Sequence, residues 1–248
     1  MRRYRLRVPV AEAEPALARM LDLFPGGIEE ERQGDDVVLA GYADAAPVAG
    51  LESDEVEPGW EDRWREYHRP VTVGRVWVGP PWGPQPPGGA RPRATGAWPH
   101  VVVIDPGRAF GTGGHGSTRA ALELLQRLDP SPALDLGCGS GVLAIAAVKL
   151  GFGPLRCFDH DPLAVGATAE NAERNGVALE VEQADVLADP LPEAPLWIAN
   201  LELGLLRRLL ERPDLPARIL VSGLLGEETV GGGERVVADG WAAELVEP

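Results

Sequence analysis

Ala133-Leu134-Asp135-Leu136-Gly137-Cys138-Gly139-Ser140-Gly141 is the stretch from which the fold of this chain can be read. Ala133 to Leu136 reads as a buried strand, and the alternating glycines after it as a loop running into the apolar helical stretch Val142–Leu150. Glycine lets the backbone turn sharply and lets a ligand approach closely, and the amide N–H groups at the helix start favour an anionic or polar guest. The spacing is G-x-G-x-G with Asp135 just ahead of it, not the G-x-G-x-x-G of dinucleotide sites. Taken alone, the loop fits either a ligand cradle or a ligand-free strand-to-helix turn.

Outward from this stretch, short apolar runs alternate with helical ones. Strands are expected at His100–Ile104, Ala133–Leu136, Leu155–Phe158, Leu179–Glu182, Leu196–Ala199 and Arg218–Ser222. Helices are expected at Ser117–Leu128, Val142–Leu150, Pro162–Asn175 and Leu203–Leu210. That alternation implies a doubly wound, mostly parallel α/β sheet covered on both faces, with ligands beyond the carboxyl ends of the strands.

Several polar residues fall at those ends. The strand after the glycine loop finishes in Phe158-Asp159-His160-Asp161-Pro162, and an acid at that place can reach the two hydroxyls of a ribose. Asp159 is the better ribose ligand, whereas Asp161 suits the cap of the helix opening at Pro162. Asp185, in Glu182-Gln183-Ala184-Asp185, fits an adenine amino group or simply a solvated loop. Asn200 ends the apolar run Leu196-Trp197-Ile198-Ala199, where its amide fits either a target amine or the loop backbone. Ahead of the sheet, Asp105 to Thr118 reads as a flexible loop entering a helix N-terminus, a place for a carboxylate. Thr118 could donate to such a group, or Ser117 or Thr118 could act only as the helix cap. His115 reads as an ordinary surface histidine.

Upstream, residues 1–58 read as a small α/β domain. Arg3 to Val8 alternates like a strand, Ala11 to Phe24 carries an apolar helical stripe, and Ile28–Arg32 and Val37–Tyr42 look like strands joined by a turn at Gly34-Asp35. The β-α-β-β order suggests a ferredoxin-like module that is incomplete, since Ala43–Leu51 offers little room for a second helix. Residues 59–99 read as an amphipathic helix (Trp60 to Tyr67) and a Pro/Gly-rich linker, and residues 100–248 as the sheet domain.

The bulk numbers agree with a globular protein. Of 248 residues, 44% are hydrophobic and 25% charged. No apolar run approaches the roughly 20 residues of a membrane span, and no signal-peptide run follows the basic N-terminus, so a cytoplasmic location is expected. Two cysteines, Cys138 and Cys157, make no disulfide framework, and no Cys/His spacing suggests a metal. A net charge of −15 disfavours direct nucleic-acid binding and suits a basic protein partner.

These motifs together resemble the bacterial ribosomal protein L-eleven methyltransferase (PrmA) family. The resemblance is carried by DPGRAFGTGGHGSTRAAL, LDLGCGSGVLAIAAVKLG, FDHDPLAVGATAENAERNGV and WIANL, and WEDRWREYHRPVTVGRVWVGPPW resembles that family's inter-domain linker. It covers roughly residues 56–225. The resemblance implies a Rossmann-like sheet that binds S-adenosylmethionine, with cofactor contacts at Thr118, Gly137, Asp159 and Asn200. Gly139 of the loop and Asp185 join that candidate set. Asn200 is the candidate catalytic residue, orienting an amine for methyl transfer. The implied substrate is a basic ribosomal protein, methylated at lysine side chains and its N-terminal amine and docked by the small N-terminal domain. Departures from the family pattern stand at Gly114, Gly116 and Pro195. The chain is also expected to stop where the sixth strand ends, leaving the family's antiparallel seventh strand unformed. Another protein or a small molecule as substrate, or a binding module without turnover, remains an alternative.

Overall fold

The computed structural model describes residues 2–9, 12, 13, 16, 19, 20, 23, 24, 29–34, 36–43, 51–55, 69–83, 100–105 and 113–248. The chain divides into two compact units, Met1–Trp64 and Arg65–Pro248.

The first unit is an antiparallel sheet of β1 (Arg2–Pro9), β2 (Glu29–Gln33), β3 (Asp36–Ala43) and β4 (Glu52–Glu55) in the order β2-β3-β1-β4. Tyr4 and Val8 of β1 and Val37 and Leu39 of β3 project to one face. There they meet Met20 and Phe24 from the apolar stripe read as a helix, with the Tyr4 and Phe24 rings 5.8 Å apart. The strand order is that of a ferredoxin-like sheet, and β4 supplies a fourth strand that the sequence pattern did not disclose. Residues 44–50, where a second helix was sought, lie outside the described residues.

The second unit opens with a three-stranded sheet, β5 (Val71–Val73), β6 (Val76–Gly79) and β7 (His100–Val103). Here the sequence reading needs correction: His100–Ile104 is not a strand of the large sheet but pairs in parallel with β6 in this small one. Its outer edge is met by side-chain amides instead of a strand. Asn175 bonds the backbone of Val103, at 2.8 and 2.6 Å, and Asn171 that of Asp105, at 3.0 and 3.1 Å. The stretch Trp60–Tyr67 and most of the Pro/Gly run, residues 84–99, lie outside the described residues.

The large sheet contains β8 (Ala133–Leu136), β9 (Leu155–Asp159), β10 (Glu180–Gln183), β11 (Leu196–Asn200), β12 (Arg218–Leu225), β13 (Arg235–Ala238) and β14 (Trp241–Val246). Its order is β10-β9-β8-β11-β12-β14-β13, parallel from β10 to β12 and antiparallel beyond. The expectation of an absent seventh strand is therefore overturned. Residues 235–246 form a hairpin whose two turn residues, Asp239 and Gly240, have φ of 50° and 79°. Both are left-handed, as a tight two-residue hairpin loop demands, and Asp-Gly is a favoured pair for it. β14 then slides between β12 and β13. Its buried Glu244 holds the preceding loop, accepting from Val230 N at 3.1 Å and Gly232 N at 3.0 Å while pairing with Arg235.

Among the described residues, four helices flank this sheet: α1 (Gly116–Leu125), α2 (Val142–Lys149), α3 (Pro162–Asn175) and α4 (Leu203–Leu210). Alternate strand residues feed two cores. Ile198 and Leu220 face α1 and α2, whereas Trp197, Ala199 and Val221 face Leu206 and Leu209 of α4. α2 is apolar on nearly every side and is correspondingly buried from Val142 to Ala147. After β10 the chain returns across the sheet to β11, so a crevice opens at the carboxyl ends of β8 and β11. Among the described residues, no helix is long and apolar enough to cross a membrane.

Candidate functional site

In that crevice lies a cavity of about 590 Å³, within the usual range for small-molecule sites. Thr118, Gly137, Gly139, Asp159, Asp185 and Asn200 all line it, so the structure brings together the whole candidate cofactor and catalytic set. The flexible loop read upstream of them falls largely at residues 106–112, outside the described residues.

The glycine loop forms the floor. Gly137 has φ +77°, and a Cβ there would lie 2.6 Å from the Leu201 side chain, inside the hollow. The loop is fastened to β9: Gly137 N and Cys138 N both donate to Phe158 O, at 2.8 and 3.1 Å. Asp159, only 7% exposed, completes that fastening. Its Oδ2 accepts from Gly139 N at 3.0 Å and its Oδ1 from Asp161 N at 3.0 Å. The remaining lone pairs of this carboxylate can accept from a diol. Asp161 caps α3 as its position before Pro162 suggested, accepting from Leu163 N at 2.9 Å.

Asp135 is the site residue that sequence reasoning left out, although it stands inside the quoted motif. It lines the cavity and is buried, and its Oδ2 accepts from Ala144 N at 3.1 Å. It thereby does for α2 what the cap residue Gly141, lacking a side chain, cannot. Burial pushes the Asp135 carboxyl up to about 7, against the pull of the Ala144 N–H, and the Asp159 carboxylate adds to the rise. The signal was an acid in a buried strand two residues before a glycine loop.

On the other side of the switch point, Asn200 ends β11. Its Nδ2 donates to Thr118 Oγ1 at 3.5 Å, the outer limit of a hydrogen bond, and Thr118 is fully buried in the first turn of α1. Neither Ser117 nor Thr118 caps that helix. The cap is His115, whose ring nitrogen accepts from Ser117 N at 3.4 Å and whose ring leans on Trp241 with centroids 4.4 Å apart. β12 bulges at Gly223, φ +93°, beside the residue that follows Asn200: a Cβ there would sit 2.2 Å from Leu201 O.

Asp185 stands on the exposed rim, its Oδ1 accepting from Leu187 N at 2.9 Å. Val186 and Leu187 beside it, and Leu201 and Leu205 opposite Gly137, give the cavity apolar walls that no sequence motif marked. No group of three or more His, Cys, Asp or Glu suited to a metal ion occurs among the described residues. A glycine floor, a carboxylate with spare lone pairs, apolar walls and a polar Thr–Asn corner suit a nucleoside carrying a charged, flexible arm.

Comparison with known proteins agrees. The family model for ribosomal protein L11 methyltransferase (PrmA) matches residues 45–240. A ribosomal protein L11 methyltransferase of Vibrio campbellii is 44% identical over 156 residues, 60% of this chain and 49% of that protein. The one from Escherichia coli O8 is 36% identical over 234 residues, covering 88% of this chain and 74% of that protein. This chain thus spans about half the length of the Vibrio relative. Among solved structures, the ribosomal protein L11 methylase of Lactobacillus delbrueckii subsp. bulgaricus superposes with a TM-score of 0.60 at 24% identity, covering 72% of this chain and 97% of that one, a likeness of fold.

Proposed function

The chain belongs to the ribosomal protein L11 methyltransferase (PrmA) family, and from that premise we propose that it transfers methyl groups from S-adenosylmethionine to amine nitrogens of a protein. The substrate on this reading is a basic ribosomal protein of the L11 type, modified on lysine side chains or its N-terminal amine in the cytoplasm. A net charge of −15 favours such a partner. The observation that carries the reading is the convergence of Gly137, Gly139, Asp159 and Asn200 on one cavity at the carboxyl ends of β8, β9 and β11.

The residues fit the cofactor. Gly137 and Gly139 would leave room for the nucleoside thioether, Asp159 would accept from the ribose hydroxyls, and Asp185 on the rim would accept from the adenine amino group. Thr118, in the first turn of α1, is placed to donate to the methionine carboxylate, where the helix end favours an anion. Bound there, S-adenosylmethionine supplies a methyl group on a sulfonium sulfur whose departure as a neutral thioether needs no acid. The chain's own task is alignment and desolvation. The Asn200 carbonyl would accept from the incoming amine and orient its lone pair for transfer, and Leu201 and Leu205 would keep water from the reacting atoms. The lysine proton passes to solvent before entry.

Calorimetry with S-adenosylmethionine and S-adenosylhomocysteine, followed by labelled methyl transfer into a ribosomal protein extract, tests this. Failure to bind either compound would sink the cofactor assignment. Binding without transfer to any acceptor would leave a module that holds the cofactor and does not turn over.

A further inference from the structure

The loop that carries Asp185, Val186 and Leu187 does not stand by itself. It is a tight turn in which Ala188 N and Asp189 N donate to Asp185 O, at 3.0 and 2.8 Å, and Asp189 Oδ2 accepts from Asp185 N at 2.8 Å. From outside the cavity one side chain grips it. Arg212, just beyond α4, sends Nη1 to Val186 O at 3.0 Å and Nη2 to Asp189 O at 3.1 Å. Its Nε and Nη2 meet Asp214 Oδ1 and Oδ2, both at 2.8 Å, which fixes the plane of the fork. The guanidinium lies 5.9 Å from the centre of the Trp197 ring, and the side chain is only 10% exposed.

A guanidinium so held behaves as a bracket rather than as a surface charge. Its donors are coplanar and fixed in direction, so two carbonyls of one loop and a carboxylate are satisfied together. The same α4 segment also supplies Leu205 to the cavity, with Leu201 shortly before it. The helix therefore lines the site near its start and, through Arg212, braces a second wall beyond its end.

We infer that Arg212 is a positioning residue for cofactor binding: it holds the Asp185–Asp189 turn against the nucleoside end of the ligand. This rests on the cofactor reading above. Arg212 does not line the cavity, so the effect of changing it reaches the ligand only through the turn. Lysine offers a single point of charge and cannot serve both carbonyls and the carboxylate in one plane.

The test is titration calorimetry on the full chain with two probes, S-adenosylhomocysteine and 5′-methylthioadenosine, the latter lacking the amino-acid arm. Arg212→Lys is expected to weaken both by about tenfold, and by the same factor, because the loss lies at the shared nucleoside. Asp214→Asn keeps the arginine but loosens its plane, so it should weaken both by roughly threefold, and it carries the test where Arg212→Lys fails to fold. A lowered melting midpoint with unchanged affinities would reduce Arg212 to a fold brace and overturn the inference. So would a loss confined to S-adenosylhomocysteine. Wild-type protein that binds neither probe overturns the cofactor reading itself, and the inference with it.

Discussion

Replacing Asp159 by asparagine separates its two jobs. In the free protein the carboxylate accepts from Gly139 N and Asp161 N, each at 3.0 Å, with 7% of the residue exposed. An asparagine of the same shape has one oxygen, so one of those N–H groups would face an NH₂. An unmatched buried donor costs about 1–3 kcal/mol. In a domain of this size each kcal/mol moves the melting midpoint by about 2–4 °C, so a fall of roughly 2–12 °C is expected. Bonds from ribose hydroxyls to a carboxylate are worth about 1.5–3 kcal/mol each, against about 1 for neutral partners. Losing that difference at two hydroxyls, about 1–4 kcal/mol, predicts S-adenosylhomocysteine binding weaker by about 5- to 700-fold, at 1.4 kcal/mol per decade. Calorimetry well below the variant's midpoint, beside a thermal melt, reads both numbers. A lowered midpoint with affinity within about twofold of wild type would make Asp159 a brace for the glycine loop and refute its contact with the ribose.

Other outcomes follow from the same geometry. Asn200→Ala should lower turnover by about 100-fold, the usual scale for one oriented polar group, while cofactor affinity moves little; equal small losses in both would remove its role. Gly223→Ala would force φ +93° on a residue with a side chain and drive its Cβ to 2.2 Å from Leu201 O. A melting midpoint unchanged by this substitution would contradict the bulge at that site. Glu244→Ala removes the carboxylate that pairs with Arg235 and accepts from two loop N–H groups, and chemical denaturation should register a loss of about 3 kcal/mol with cofactor affinity of the folded protein intact. Asp135 has a folded-state pKa near 7, above its ordinary 3.8, so its contribution to stability is full below about pH 4 and is lost as pH rises through 7. Asp135→Asn keeps an acceptor for Ala144 N and should flatten this decline between about pH 4 and 7; parallel stability profiles for the two proteins would refute the shift.

The parts of the site that were legible in the sequence are those in which chemistry is local. The loop from Gly137 to Gly141 and the acid after the next strand depend on neighbours within a few positions. They were found where expected, as was the cap at Asp161. His100–Ile104 was misplaced because an apolar run states that a strand is buried but not which sheet receives it. The hairpin from Arg235 to Val246 carried its own local mark, Asp239-Gly240, and was overlooked because Ala242 and Ala243 give a weak strand pattern. Leu201, Leu205 and Val186 meet only through the crossing from β10 to β11, and no short window of sequence contains that meeting. Asp135 hid in plain view: an acid in a buried strand makes sense only once Ala144 N is seen above it.

The position of β14 has a temporal consequence. It is wedged between two strands synthesised before it, so β12 and β13 must wait, without their shared neighbour, until Trp241–Val246 leaves the ribosome. Until then β12 keeps an unpaired edge and β13 has no partner in the sheet, the condition in which nascent chains most readily stick to one another. Closure of this half of the sheet is thus governed by Trp241–Val246, the strand that follows both of its neighbours in sequence.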